Sequence, residues 1–380
     1  MNLSRRNLLK NISAGVAVSA AIPSLADLAF ARAPRSARSR AAGGPIILSR
    51  NENAYGPSEK VMSAMQEALS VANRYAFGDA RLLAEKLAYF HGVKTEQIVL
   101  GCGSGEILSI AAAAFLGPGK KLIQALPTFE AIGRCAKTVG AEVLAVPLAK
   151  DYSHDLSAML AHADAKTGLI YICNPNNPTA TLTPRRDLEA FIRKLPSGTN
   201  VLIDEAYHHF AGESSDYSSF IDNPMGDERV IACRTFSKVY GLAGIRAGYA
   251  VASPRVAHAL AAWRLPEGIN AAAARAALAG LDDQEHVRMS IKRNADDRQE
   301  FFNQANARMV RGIDSHANFA MLQVSRPATE IIEYFKQNSI QIARSFPPMD
   351  HYVRVSFGIP SEMKEFWRVW DQMPGNKMPM

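Results

Sequence analysis

Residues 97–204 alternate short apolar runs with segments of helical period, an order that narrows the possible folds more than any other feature of the chain. Gln97-Ile98-Val99-Leu100, Lys121 to Ala125, Glu142 to Val146, Leu169 to Cys173 and Val201 to Asp204 read as strands. Ile107 to Phe115, Phe129 to Val139, Leu156 to His162 and Pro184 to Leu195 read as the helices between them. Strand–helix–strand repetition implies a mostly parallel sheet with helices on both faces, an α/β architecture. Ligands of such sheets gather at the carboxyl ends of the strands. Ser104, Phe129, Asn177, Asp204 and Lys238 all fall at such positions. Ahead of this region Ser58 is placed as an N-cap for helical spacing through Met62, Met65 and Leu69. After Ser253-Pro254 a long helical region runs to about Val310, followed by strands at Phe319 to Val324, Gln341 to Arg344 and Tyr352 to Phe357 and helices at Glu330 to Asn338 and Glu362 to Met373. The expected division is residues 1–33 as a targeting signal, 34–57 as a flexible leader and N-terminal arm, 58–253 as a large α/β domain, and 254–380 as a smaller α+β domain.

The front of the chain has its own chemistry. Ser4-Arg5-Arg6-Asn7-Leu8-Leu9-Lys10 resembles the twin-arginine export pattern, with Leu8 where phenylalanine is commoner. The weakly apolar stretch from Ile12 to Phe30 is interrupted by Pro23 and Asp27, which makes it a poor permanent span. Ala31-Arg32-Ala33 is a small-x-small cleavage candidate. The expectation is export by the twin-arginine machinery to the periplasm or beyond, with no stable membrane span after cleavage. The alternative is an amphipathic helix and a cytoplasmic protein. Residues 1–33 carry +3 of the formal +7, and no dense Lys/Arg run with interleaved aromatics follows, so nucleic-acid binding is not indicated. Cys102, Cys135, Cys173 and Cys233 are scattered without metal spacing, so no metal site is expected. Cys173 and Cys233 end apolar runs and read as buried free thiols.

The chemistry concentrates in Arg234-Thr235-Phe236-Ser237-Lys238-Val239-Tyr240-Gly241-Leu242-Ala243-Gly244-Ile245-Arg246-Ala247-Gly248, between apolar runs that read as strands. Hydroxyls and a guanidinium on a tight loop suit a phosphate dianion. A lysine beside them can form a Schiff base with an aldehyde. One aldehyde that carries a phosphate is pyridoxal phosphate (PLP). A second piece, Gly101-Cys102-Gly103-Ser104-Gly105-Glu106, joins a strand to a helix and exposes backbone N–H groups to an anion. Either piece alone also reads as an ordinary surface turn. Asn174-Pro175-Asn176-Asn177-Pro178-Thr179 and Asp204-Glu205-Ala206-Tyr207 complete the set. In one reading, Asp204 keeps the pyridine nitrogen protonated, Asn177 and Tyr207 donate to the ring's phenolic oxygen, and Phe129 stacks on the ring. Thr235, Ser237, Arg246 and the amides near Ser104 and Gly105 hold the phosphate. Lys238 forms the Schiff base and later shuttles the proton.

These pieces resemble a fold-type-I PLP-dependent aminotransferase of class I/II, and most of all the histidinol-phosphate aminotransferase family. The resemblance also rests on Asn51-Glu52-Asn53-Ala54-Tyr55-Gly56-Pro57, Arg74-Tyr75, Pro127-Thr128-Phe129, Ala317-Asn318-Phe319 and Val353-Arg354-Val355, and it covers roughly residues 46–360. It implies a homodimer in which Tyr75 reaches the cofactor phosphate of the neighbouring subunit. It also implies that Tyr55 lies on the substrate side, that Arg354 takes the substrate anion, and that Arg344 is a second arginine near the substrate. For Arg344 the alternative is a surface charge. Ala54 stands where the family usually has proline, Gly105 where an acidic residue is usual, and Ala180 where glycine normally follows the Asn-Pro-Thr run. Histidine synthesis is cytoplasmic, so an exported relative would serve another substrate.

The activity implied is transfer of an amino group between an amino acid, or an amino-alcohol phosphate such as histidinol phosphate, and a 2-oxo acid. A PLP-dependent lyase, decarboxylase or racemase would share every cofactor residue and remains the alternative. A non-catalytic binding protein would have little reason to retain Lys238, Asp204 and Arg246 together.

Overall fold

The computed structural model describes residues 44–374 apart from 213, 266 and 267. The export signal, its cleavage site and nearly all of the leader fall outside the described residues. A short strand β1 (Ile46–Leu48) is followed by helices α1 (Glu59–Ala68) and α2 (Phe77–His91). The first helix starts as its sequence requires, with Ser58 Oγ accepting from the Val61 N–H. The second ends at Gly92, whose left-handed backbone (φ 64°) closes the last turn.

The alternating region is then β2 (Ile98–Gly101), α3 (Ser104–Phe115), β3 (Lys121–Leu126), α4 (Ala131–Thr138), β4 (Glu142–Pro147), α5 (Leu156–Ala161), β5 (Thr167–Cys173), α6 (Arg185–Lys194) and β6 (Asn200–Asp204). The short α7 (His208–Ala211) precedes β7 (Val230–Thr235) and β8 (Gly248–Val251). These strands form a seven-stranded sheet in the order β2-β8-β7-β6-β5-β3-β4. Only β8 runs against its neighbours. The register sets Cys173 beside Asp204 and Asp204 beside Cys233, so β5, β6 and β7 end together. Alternation along the strands divides the core. Ile170, Ile172, Val201 and Ile203 pack on one side, and Leu169, Tyr171, Leu202 and Ile231 on the other. Each such aliphatic side chain, fully buried, stabilises the fold by about 1.5–3 kcal/mol before the entropy of ordering it is set against it.

The hydrophobic packing does not change at residue 254. The expected long helix is three: α8 (Pro254–Ala261), α9 (Ala271–Leu281) and α10 (Gln284–Ala307). Val256 and Leu260 bury against one face of the large sheet, and Ala273, Ala274, Ala276 and Ala277 join the core on the other. The run of alanines lets α9 pack closely beside α1. A separate core begins with Phe301 and includes Ile46, Leu48, Phe335, Val353, Val355, Phe366 and Trp367. It is built on β9 (Phe319–Gln323), α11 (Ala328–Gln337), β10 (Ile340–Ile342), β11 (Tyr352–Ser356) and α12 (Pro360–Asp371). Strand β1 pairs with β10, which ties the start of the N-terminal arm to this lobe. Among the described residues no helix is long and apolar enough to cross a membrane.

Candidate active site

A cavity of about 490 Å³ opens at the carboxyl ends of β5, β6 and β7. Every residue singled out from the sequence lines it except Tyr55 and Tyr75. A wider hollow of about 590 Å³ beside Arg308 and Trp370 contains none of them.

One end of the cavity is a cradle of donors. Thr235 Oγ1 donates to Ser237 Oγ at 2.8 Å and accepts from the Ser237 N–H at 3.1 Å. The Arg246 guanidinium donates to Ser237 Oγ at 3.3 Å and to the carbonyls of Ala243 and Cys102. Ser104 and Gly105 open α3 there, where free N–H groups and the helix dipole favour an anion. The glycines are required by close approach. A Cβ on Gly103 (φ 75°) would collide with the Arg246 guanidinium, and one on Gly248 would collide with the Ser104 nitrogen.

Beneath the cradle sits Asp204, 2% exposed. Its Oδ2 accepts from Tyr171 Oη at 2.9 Å and its Oδ1 from the Ala206 N–H at 3.1 Å. Burial pushes its pKa up, and these donors work against that shift. Lys238 Nζ donates to the carbonyls of Asn51, at 2.9 Å, and Arg50, at 3.3 Å. Burial first, and then the Arg354 cation, lower its pKa to about 8, against the pull of Glu52 and Asp204. Tyr207 Oη accepts from Asn51 Nδ2 at 3.0 Å and Asn177 Nδ2 at 3.4 Å, and burial raises its pKa. Phe129, partly exposed, forms part of the wall.

The other end is cationic. Arg354 is buried, donates to Asn177 Oδ1 and, at 2.7 Å, to the Ser49 carbonyl, and lies over the Phe319 and Phe346 rings. Its Nε is buried without a partner, and burial lowers its pKa to about 10. Arg344 is 54% exposed. It lines the cavity and pairs with Glu130 at 2.6 Å.

Two expected residues lie elsewhere in this chain. Tyr55 Oη donates to the Asp297 carboxylate at 3.0 Å, and burial and Asp297 raise its pKa to about 12. Tyr75 is 78% exposed, with its ring against Phe77. Of the three departures noted above, Ala180 has a structural consequence: it adopts φ 62°, the left-handed region, which explains why glycine suits the position. The two strand-end cysteines, Cys173 and Cys233, are buried and free as expected.

The sequence reading missed several participants. Asn51 presents both its carbonyl and its amide to the site, and its φ of 53° is the kind of strain an asparagine accepts. Tyr171 was hidden in an apolar run, where a lone hydroxyl was the available signal. Arg50, Glu130, Arg134 and Phe346 also line the cavity. Nothing in their local sequence distinguishes them from surface residues.

The donor set fits PLP. The Arg246–Ser237–Thr235 cradle with the α3 amides suits its phosphate, the buried Asp204 carboxylate suits a pyridinium, and a lysine with a lowered pKa suits its aldehyde.

Residues 44–368 match the family "Aminotransferase class I and II". The histidinol-phosphate aminotransferase of Caldicellulosiruptor saccharolyticus is 36% identical over 322 residues, covering 84% of this chain and 89% of that one. Histidinol-phosphate aminotransferase 2 of Carboxydothermus hydrogenoformans is 37% identical over 321 residues, with 84% and 88% covered. The crystal structure of the Sinorhizobium meliloti histidinol-phosphate aminotransferase in complex with pyridoxal-5'-phosphate superposes with a TM-score of 0.80 at 27% identity, covering 85% of this chain and 89% of that one. The match spans the whole sheet, the Lys238 loop and the arginine strand, and the chain belongs to the class I and II aminotransferases.

Proposed function

We propose that this PLP-dependent aminotransferase takes its amino group from a small donor bearing an anionic group, either a phosphorylated amino alcohol such as histidinol phosphate or an amino acid, and gives it to a 2-oxo acid. The observation that carries this reading is the pair of arginines, Arg354 and Arg344, at the end of the cavity formed by the smaller lobe, separate from the phosphate cradle. Bound PLP supplies an aldehyde for the amine and a ring that accepts electrons from the substrate carbon. The chain supplies the rest. Lys238 Nζ, its proton loosened by burial, accepts and returns a proton at the substrate carbon. With PLP bound, Asp204 would hold a proton at the ring nitrogen, and Tyr207 with Asn177 would donate to the phenolic oxygen. Arg354, already desolvated in the cavity wall, takes the donor's anion. The test is a panel of donors, including histidinol phosphate and aromatic amino acids, mixed singly with the holoenzyme while the cofactor spectrum is followed. Conversion to the amine form by an anion-bearing donor supports the reading, and release of carbon dioxide or racemised donor without conversion contradicts it.

We further infer a homodimer with Tyr75 reaching the neighbouring site. The support is the exposed apolar surface around Tyr75, Phe77 and Leu69, together with the absence of Tyr75 from its own chain's cavity. Mixed dimers of Lys238→Ala and a Tyr75→Phe variant weakened in cofactor binding should recover activity, up to one intact site each. Verified mixed dimers without such a site contradict the inference. We infer export from the Arg5-Arg6 motif alone. A reporter fused to residues 1–33 should reach the periplasm and lose that ability on Arg5→Lys with Arg6→Lys, whereas retention in the cytoplasm contradicts it.

A further inference from the structure

Glu130 follows Phe129 and immediately precedes α4. Its Oε1 is 2.6 Å from Arg344 Nη2, and its Oε2 is 3.3 Å from Arg134 Nη1. All three side chains line the active-site cavity. Arg354 is buried and held by Asn177 and the Ser49 carbonyl, whereas Arg344 and Glu130 remain 54% and 50% exposed. Exposed ion pairs are held weakly and exchange partners readily. A carboxylate shared by two guanidinium groups can release one and keep the other, so the exchange strands no charge.

We propose that Glu130 sets donor specificity by giving up Arg344 to the substrate. With an amino acid whose single carboxylate is taken by Arg354, Glu130 keeps Arg344 neutralised. With a donor whose anion extends past Arg354 to Arg344, which shares the Phe346 ring with it, as a bulkier phosphate dianion can, that anion replaces Glu130 on Arg344, and Glu130 stays on Arg134. Glu130 therefore competes with phosphate-bearing donors and favours those with one carboxylate. This deepens the reading above and rests on it, because it supplies the means by which one site accepts both kinds of donor.

The experiment is Glu130→Gln in the holoenzyme. The ratio of kcat/KM for histidinol phosphate to kcat/KM for phenylalanine should rise about three- to fivefold, mainly through KM, the size of effect that an exposed ion pair supports. Inorganic phosphate should also bind the variant more tightly by calorimetry, a readout that needs no turnover. Both gains should vanish in the Arg344→Gln background. A ratio within twofold of wild type, an equal fall for both donors, or a gain that persists without Arg344 overturns the proposal. If the wild-type holoenzyme converts no donor at all, the aminotransferase reading fails by itself, and the phosphate titration still decides the exchange.

Discussion

The two ends of the cavity are built from different material. At the cofactor end, Asp204, Thr235 and Ser237 are buried side chains on or just after strand ends, fixed by the register of β6 beside β7 and by glycines that leave no room for a side chain. At the mouth, Arg344, Glu130 and Arg134 are long, half-exposed side chains that hold one another. Buried polar groups in a dry site interact strongly and cannot relax when a partner is lost. Exposed ones are screened and can find new partners. On the proposed reading, the chemistry rests on the buried end and the choice of substrate on the exposed one. Arg354 is the intermediate case, a substrate-side arginine as buried as the cofactor residues.

Substitutions should expose this contrast, starting with the largest effect. Lys238→Ala removes both the covalent anchor and the proton carrier, so turnover should fall at least about a thousandfold while the far-ultraviolet spectrum stays native. Near-normal activity would remove Lys238 from its assigned role. Asp204→Asn keeps the shape but loses the charge opposite the ring nitrogen, and kcat should fall roughly 10²–10³-fold. A modest loss would mean that the nitrogen is held otherwise. The arginines should separate by burial. Arg354→Gln should cost about a hundredfold in kcat/KM for every donor, as loss of a buried charged contact does, while Arg344→Gln should cost about tenfold and only for a phosphate-bearing donor. Steady-state kinetics with histidinol phosphate and phenylalanine checks both, and equal penalties would erase the distinction between the two ends.

The smallest effect is in pH. Only the neutral Lys238 amine attacks an aldehyde, and its pKa is lowered to about 8 from the ordinary 10.5. Uptake of PLP by cofactor-free protein should therefore speed up as pH rises through about 8 and level off well below 10.5. Arg354→Gln removes a cation that depresses the amine and leaves Glu52 and Asp204, which raise it. The midpoint should then move upward, as stopped-flow absorbance would show. A downward shift would contradict the electrostatic account.

How far the sequence carried this reading follows the same division. The sheet was legible because β5, β6 and β7 centre on short apolar runs of strand length, separated by turns and helical segments, and the residues closing them were legible because a polar group at the end of a buried strand needs a reason. Arg246 and Ser237 were legible from their shared loop. The helices after Pro254 were not separated although the sequence marks both breaks, with Pro266, Gly268 and the N-cap Asn270 at the first and the N-cap Asp283 at the second; helical composition was followed across these signals. Glu130 and Arg134 were not found because an i, i+4 pair near a helix start is ordinary surface sequence, and only the arrival of Arg344 from residues 214 positions away gives it meaning. Asn51 was invisible as a lysine-holding residue because its carbonyl, common to every residue, makes the contact.

The central claim is that Lys238, Asp204 and the cationic end together carry out transamination at this cavity. Its most direct test is a single half-reaction: holoenzyme and histidinol phosphate or phenylalanine, without an oxo acid, followed by absorbance and product analysis. The account predicts stoichiometric conversion of the cofactor from its aldehyde-derived to its amine form, one equivalent of carbonyl product, and full reversal on adding a 2-oxo acid. A cofactor spectrum that returns unchanged while the donor loses carbon dioxide or its configuration would contradict it.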